Sequence, residues 1–216
     1  TFALGQKAEP IESLVSKSHD PEWYAAQVDA WQKVIDANPQ DTWAWRNLFR
    51  ATYYNDSFTG SWGKSWEEQD QTKTAEVVRQ IEARFPDSFV SNLCKSRFAL
   101  SKDSIPSRRG DFVRRAVELM PENACTEDIN YLACRMWIAD PESPLVNELF
   151  TKSYRNKYYP ARIMQFNRNM LLCMEPNAIY FPNGDLDSAP MKILQEALGE
   201  RKDVTIINVS FLHADS

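Results

Sequence analysis

At 216 residues, 43% hydrophobic and 25% charged, the chain has an ordinary globular composition and is long enough for one large domain or a row of repeats. A net charge of −5 argues against nucleic acid and anionic membranes as main partners, which call for a basic face. No apolar run approaches the roughly 18 residues that a membrane span needs, and two histidines, six glycines and no Cys-x-x-Cys disfavour His-based catalysis, glycine-rich phosphate loops and zinc ribbons.

No cofactor and no metal are expected. The four cysteines, Cys94, Cys125, Cys134 and Cys173, are expected to be buried free thiols. Cys125 and Cys134 lie roughly 13 Å apart along one predicted helix, too far to bridge. The chain begins at Thr1, as an exported protein does after its signal is cleaved. A periplasmic or otherwise exported setting is therefore expected, with a cytoplasmic one as the alternative.

Residues 1–20 form a lead-in with a short helix near Ile11 to Val15. Asp20-Pro21-Glu22 then opens a helix, with Asp as cap and Pro in the first turn. Trp23, Tyr24, Val28, Trp31, Val34 and Ile35 recur along it at helical spacing, and Asn38-Pro39 ends it. Asp41 or Thr42 caps the next helix, which presents Trp45, Leu48, Phe49 and Thr52 on one face. Further helices are predicted over 66–84, 88–100, 108–120, from Thr126, from Pro144 to about Tyr154, and over 161–174.

The final stretch changes period. Ala178-Ile179-Tyr180-Phe181 is a short apolar strand that stops at Pro182, and Asn183-Gly184-Asp185 is turn chemistry. Asp187 or Ser188 caps a helix with Pro190 in its first turn, and Gly199 stops it. Residues 203–212 are rich in β-branched side chains and read as a buried strand, parallel to the first. The expected organisation is a lead-in over 1–20, a helical-repeat domain over 21–175 and a small α/β unit over 176–216.

Asp185 and Asp187 have alternative uses. They shape the turn and cap the helix, or, with Asn183, they contact a ligand or hold a divalent cation. The insertion Phe58-Thr59-Gly60-Ser61-Trp62-Gly63-Lys64-Ser65-Trp66 either folds Trp62 and Trp66 back on the hairpin edge or offers them to a sugar or peptide. Tyr154, Arg155, Lys157, Tyr158, Tyr159 and Arg162 make a basic and aromatic patch that reads as a solvated helix end.

Trp31 and Val34 ahead of Asn38-Pro39, then Thr42-Trp43-Ala44-Trp45-Arg46-Asn47-Leu48 with Ala51 and Tyr53, resemble a tetratricopeptide repeat. Arg84-Phe85-Pro86-Asp87 and Leu119-Met120-Pro121-Glu122 are similar helix ends. Pro39, Pro86 and Pro121 are spaced 47 and 35 residues apart, against a period of about 34. The resemblance implies a mostly α fold, a right-handed α-solenoid of antiparallel helix pairs, closed by the C-terminal β-α-β unit.

Asn177-Ala178-Ile179-Tyr180-Phe181, Asn183-Gly184-Asp185, Asp187, Pro190, Gln195-Glu196, Gly199, Arg201, Asp203-Val204 and Asn208-Val209-Ser210 resemble a second family. It is the soluble tail of bacterial protein O-mannosyltransferase-like membrane glycosyltransferases, over residues 166–215. The resemblance implies a shared accessory module without the catalytic part, and a unit that continues past Ser216 in a longer protein.

The chain is expected to be a non-catalytic protein-interaction or assembly module of the cell envelope. A protein or peptide partner would lie in a groove lined by the first helix of each hairpin, with Asn47, Arg50, Asn92 and Arg135. The alternative is a glycan- or sugar-nucleotide-handling protein using the loop from Asp185 to Asp187.

Overall fold

The computed structural model describes residues 6–14, 16–58, 71–98 and 106–210, with the backbone alone for 58, 106–109 and 185. Among the described residues the protein is mostly helical, with nine helices and one two-stranded sheet. They fall into two compact units, 1–105 and 106–216.

In the first unit, α1 (Pro21–Ala37) starts where the Asp20 carboxylate accepts the N–H of Trp23 at 2.7 Å. α2 (Thr42–Phe58) starts where Asp41 accepts the N–H groups of Trp43 and Ala44, at 2.9 and 3.0 Å. Both caps agree with the sequence, because each answers N–H groups that a helix leaves unpaired. α1 and α2 pack as a hairpin, and α3 (Thr72–Arg84) and α4 (Phe89–Arg97) continue from α2. Tyr24, Trp31, Ile35, Trp45, Leu48, Phe49, Val78, Ile81 and Val90 form the core. The buried Asp56 carboxylate fastens α2 to α3 by accepting the N–H and hydroxyl of Thr74, at 3.0 and 2.7 Å.

The lead-in departs from expectation. In place of a helix near Ile11 there is a turn, in which the N–H groups of Ser16 and Lys17 share the Ser13 carbonyl. Ahead of it the backbone of 7–11 is bonded to α1 and α2. Gln27 accepts the N–H of Glu9 at 2.8 Å and donates to the Lys7 carbonyl at 3.1 Å. Trp31 Nε1 donates to the Glu9 carbonyl, and Asn47 accepts the N–H of Ile11. These side chains satisfy a backbone that a helix would otherwise satisfy itself.

In the second unit α5 (Pro106–Glu118), α6 (Thr126–Ala139) and α7 (Pro144–Arg155) pack in sequence, and α8 (Ala161–Leu172) leads into β1 (Ile179–Tyr180). α9 (Asp185–Leu198) rests on α7 and α8, and β2 (Thr205–Ile206) returns parallel to β1. Leu132, Met136, Val146, Leu149, Phe150, Leu171, Met191, Ile193 and Leu194 are buried here.

The parallel pairing agrees with the sequence, but the strands are two residues each. The ladder runs further than the strands: the Ala178, Tyr180 and Pro182 carbonyls accept from Thr205, Ile207 and Val209, each at 2.9 Å. Pro182 fits because this ladder uses only its carbonyl. The buried strand predicted over 203–212 is half-buried where it is described: Thr205 and Ser210 are exposed, and Ile206 and Asn208 buried.

The start of α9 is a second correction. Gly184, not Asp187 or Ser188, occupies the cap position, and no side chain caps the helix. The N–H groups of Asp187 and Ser188 both reach the Gly184 carbonyl, and the Ser188 hydroxyl donates to it at 2.9 Å. Ser188 is thereby drawn into the helix by backbone bonding, and Pro190 lies inside it, beyond the first turn. Gly199, at φ 71, ends α9 in the left-handed conformation, as expected.

Candidate interaction site

A cleft of about 520 Å³ opens where the end of α7, the connector 156–160, the start of α8 and α9 meet. Its shape begins with Lys157, whose left-handed backbone (φ 53) turns the chain out of α7. The N–H of Tyr158 then closes on the Ser153 carbonyl at 3.1 Å. That turn brings Tyr154, Tyr158 and Tyr159 to one wall, with the last two rings edge to face at 4.7 Å. Met164, Ile193, Leu194 and Leu198 supply the apolar lining, and Arg155, Lys157 and Arg168 the charged part. Arg168 is ion-paired with Glu200 through Nε at 2.7 Å and through Nη2.

Behind the cleft the β-α-β unit is tied within itself and to α7. Gln195 donates to the Arg201 and Val204 carbonyls, at 2.9 and 2.7 Å. Asn208 donates to the Ser188 hydroxyl at 2.9 Å, tying the end of the ladder to α9. Asn147 of α7 donates to the Glu196 carbonyl at 2.7 Å.

The outer surface of this region carries several exposed apolar side chains. Phe166 and Met170 share one face of α8 and are exposed, as are Ile179 and Phe181 on one face of the β1 segment, at 60% and 57%. Alternate carbonyls of the 178–182 segment are taken by the ladder. The N–H and C=O groups of Ile179 and Phe181 therefore point to the opposite edge, where no strand is paired among the described residues.

The residues singled out from the sequence are scattered. Asn47, Arg50 and Asn92 are buried, on α2 and α4, the second helices of their pairs. Asn47 holds Ile11 and the Trp43 carbonyl, Arg50 donates to the Tyr54 hydroxyl at 3.2 Å, and Asn92 donates to the Ser88 carbonyl along the first turn of α4. Arg135 is half-buried on α6, and its Nε has no hydrogen-bond partner among the described residues. Trp62 and Trp66 lie outside the described residues. Asn183 and Asp187 are exposed, and Asp185 opens α9. Among the described residues no three His, Cys, Asp or Glu side chains are placed to share a metal ion.

Gln27, Gln195 and Asn208 carry much of the local architecture, yet helical and strand periodicity marks none of them. A buried amide that serves backbone carbonyls has the same letter as an exposed one. The tyrosine patch was visible as composition, but its position on a cleft depends on α9, some 35 residues later.

Fold and site together define a mostly helical protein whose C-terminal part is a small parallel β-α-β unit built onto a helix. Residues 163–215, about a quarter of the chain, match the family model of TMEM260-associated domain 2. That match begins inside α8, so the matched unit consists of most of that helix, the sheet and α9. No curated protein and no solved structure matches the chain.

Proposed function

We propose that the chain is a non-catalytic protein-interaction or assembly module, and that the outer face of its C-terminal segment is the contact surface. The observation that carries this is where the exposed apolar side chains lie. Of ten large ones among the described residues, seven fall within 163–215: Phe166, Met170, Leu172, Ile179, Phe181, Leu186 and Leu198. Exposed apolar side chains gathered in one segment mark a surface kept for a partner. The free edge of β1 suits an extended segment of that partner, joined by main-chain hydrogen bonds with apolar residues at alternate positions. The tetratricopeptide-like hairpins and the cell-envelope setting belong to the same proposal. The α1/α2 hairpin supports the first, and the resemblance over 166–215 the second.

Ile179→Ser and Phe181→Ser test it. Both side chains are exposed, so stability stays within about 0.5 kcal/mol while co-purification with the partner falls. Unchanged co-purification rejects the surface. A glycan-handling role at Asn183, Asp185 and Asp187 is the second reading. It is favoured by the place of that loop at the carboxyl end of β1, where parallel β-α-β units receive ligands. Binding of a sugar nucleotide that Asp187→Ala abolishes would favour that role instead.

A further inference from the structure

We propose that the cleft between α7, α8 and α9 binds an organic anion with an apolar or aromatic body. This goes beyond the protein contact above and shares only Leu198 with it. Its volume of about 520 Å³ is that of a small-molecule site. No Asp or Glu lines it, although the whole chain carries −5. Arg155 and Lys157 line it and are exposed, and neither forms a salt bridge or side-chain hydrogen bond among the described residues. Arg168, held by Glu200, adds a fixed guanidinium.

The start of α8 adds to the positive side. Pro160 and Ala161 line the cleft, no side chain caps this helix, and no acid stands in its first turn. Its unpaired N–H groups and the positive end of its dipole favour an anion. The opposite requirement, a place for an apolar body, is met by Met164, Ile193, Leu194 and Leu198. Tyrosine rings beside them offer flat faces and hydroxyl groups. A neutral apolar ligand would leave the cations unused, and a small inorganic anion would leave the apolar wall wet.

The test is a methyl-resolved NMR titration of the whole chain with naphthalenesulfonate and, in parallel, with neutral naphthalenesulfonamide. Saturable shifts are expected at the methyls of Met164, Ile193, Leu194 and Leu198, with the sulfonamide weaker by about tenfold. Arg155→Ala with Lys157→Ala should weaken the sulfonate by a similar factor. Phe181→Ser should leave it unchanged, so that failure here and failure of the protein contact are separately visible. Equal binding of the two probes overturns the proposal, as do shifts confined to Ile179 or no saturable shift.

Discussion

Arg201 and Asp203 form a two-pronged ion pair across the turn that enters β2, Nε to Oδ1 and Nη2 to Oδ2, each at 2.9 Å. The same guanidinium donates to the carbonyls of Leu171, Met174 and Glu175, at 2.7, 3.0 and 3.1 Å. Asp203 in turn accepts the N–H of Asn177 at 3.1 Å. One pair thus closes the end of α8 and fixes where β1 begins. A planar fork serves several acceptors at once, which a lysine ammonium cannot do with the same geometry. Arg201→Ala should lower the unfolding midpoint, and Arg201→Lys should recover only part of the loss. Equal midpoints for wild type and Arg201→Ala would show that the clamp is idle.

The pair also makes stability depend on pH. The hydrogen bond from Arg201, then that from Asn177, lower the Asp203 carboxyl to about 2, below the roughly 3.9 of an unfolded chain. Because the folded value is the lower one, this contribution is complete above about pH 4 and is lost as pH falls through about 2. Asp203→Asn should remove that part of the acid dependence. Denaturant midpoints across this range, for both proteins, check it.

Trp45 is packed among α1, α2 and α3, edge-on to Phe85 at 6.4 Å, with its Nε1 donating to the Pro39 carbonyl at 3.0 Å. Trp45→Ala should cost about 3–5 kcal/mol, as other large aromatic truncations do. A melt within a degree or two of wild type would contradict its place in the core.

Gln27 is fully buried and bonds the segment 7–11 at the Glu9 N–H and the Lys7 carbonyl. Gln27→Leu should leave those backbone groups unanswered, at about 1–3 kcal/mol. Hydrogen exchange at the amide of Glu9 should speed up far more than at Leu48 in α2.

All four cysteines are free thiols, but only Cys94 and Cys134 are buried; Cys125 is half-buried and Cys173 exposed at the end of α8. In the folded protein an alkylating reagent should label Cys173 first and Cys94 and Cys134 last. After unfolding, without reductant, all four should react; any that do not are paired.

Helix starts were legible where a cap residue precedes a periodic run at Asp20 and Asp41, and Pro144 marked the start of α7. The parallel β-α-β unit was legible too, from Gly199 and the β-branched run after it. The start of α9 was not, because Asp187 and Ser188 are good caps and only the backbone of Gly184 decides between the possible starts. The strap over 7–11 was hidden for a related reason. Its hydrogen bonds come from Gln27, Trp31 and Asn47, and helical spacing cannot say which backbone a side chain will meet. Of the polar residues read as a groove, Asn47, Arg50 and Asn92 are buried, each serving a carbonyl, a hydroxyl or an N–H nearby.

The most direct test of the protein-contact surface is photo-crosslinking in the cells that make the chain, with a benzophenone side chain placed singly at Phe166, Ile179, Phe181 or Trp43. All four positions are exposed, and Trp43 lies in the other unit. The predicted result is one discrete protein adduct shared by Phe166, Ile179 and Phe181 and absent at Trp43. Adducts of equal yield at Trp43, or none at the other three, would contradict the account.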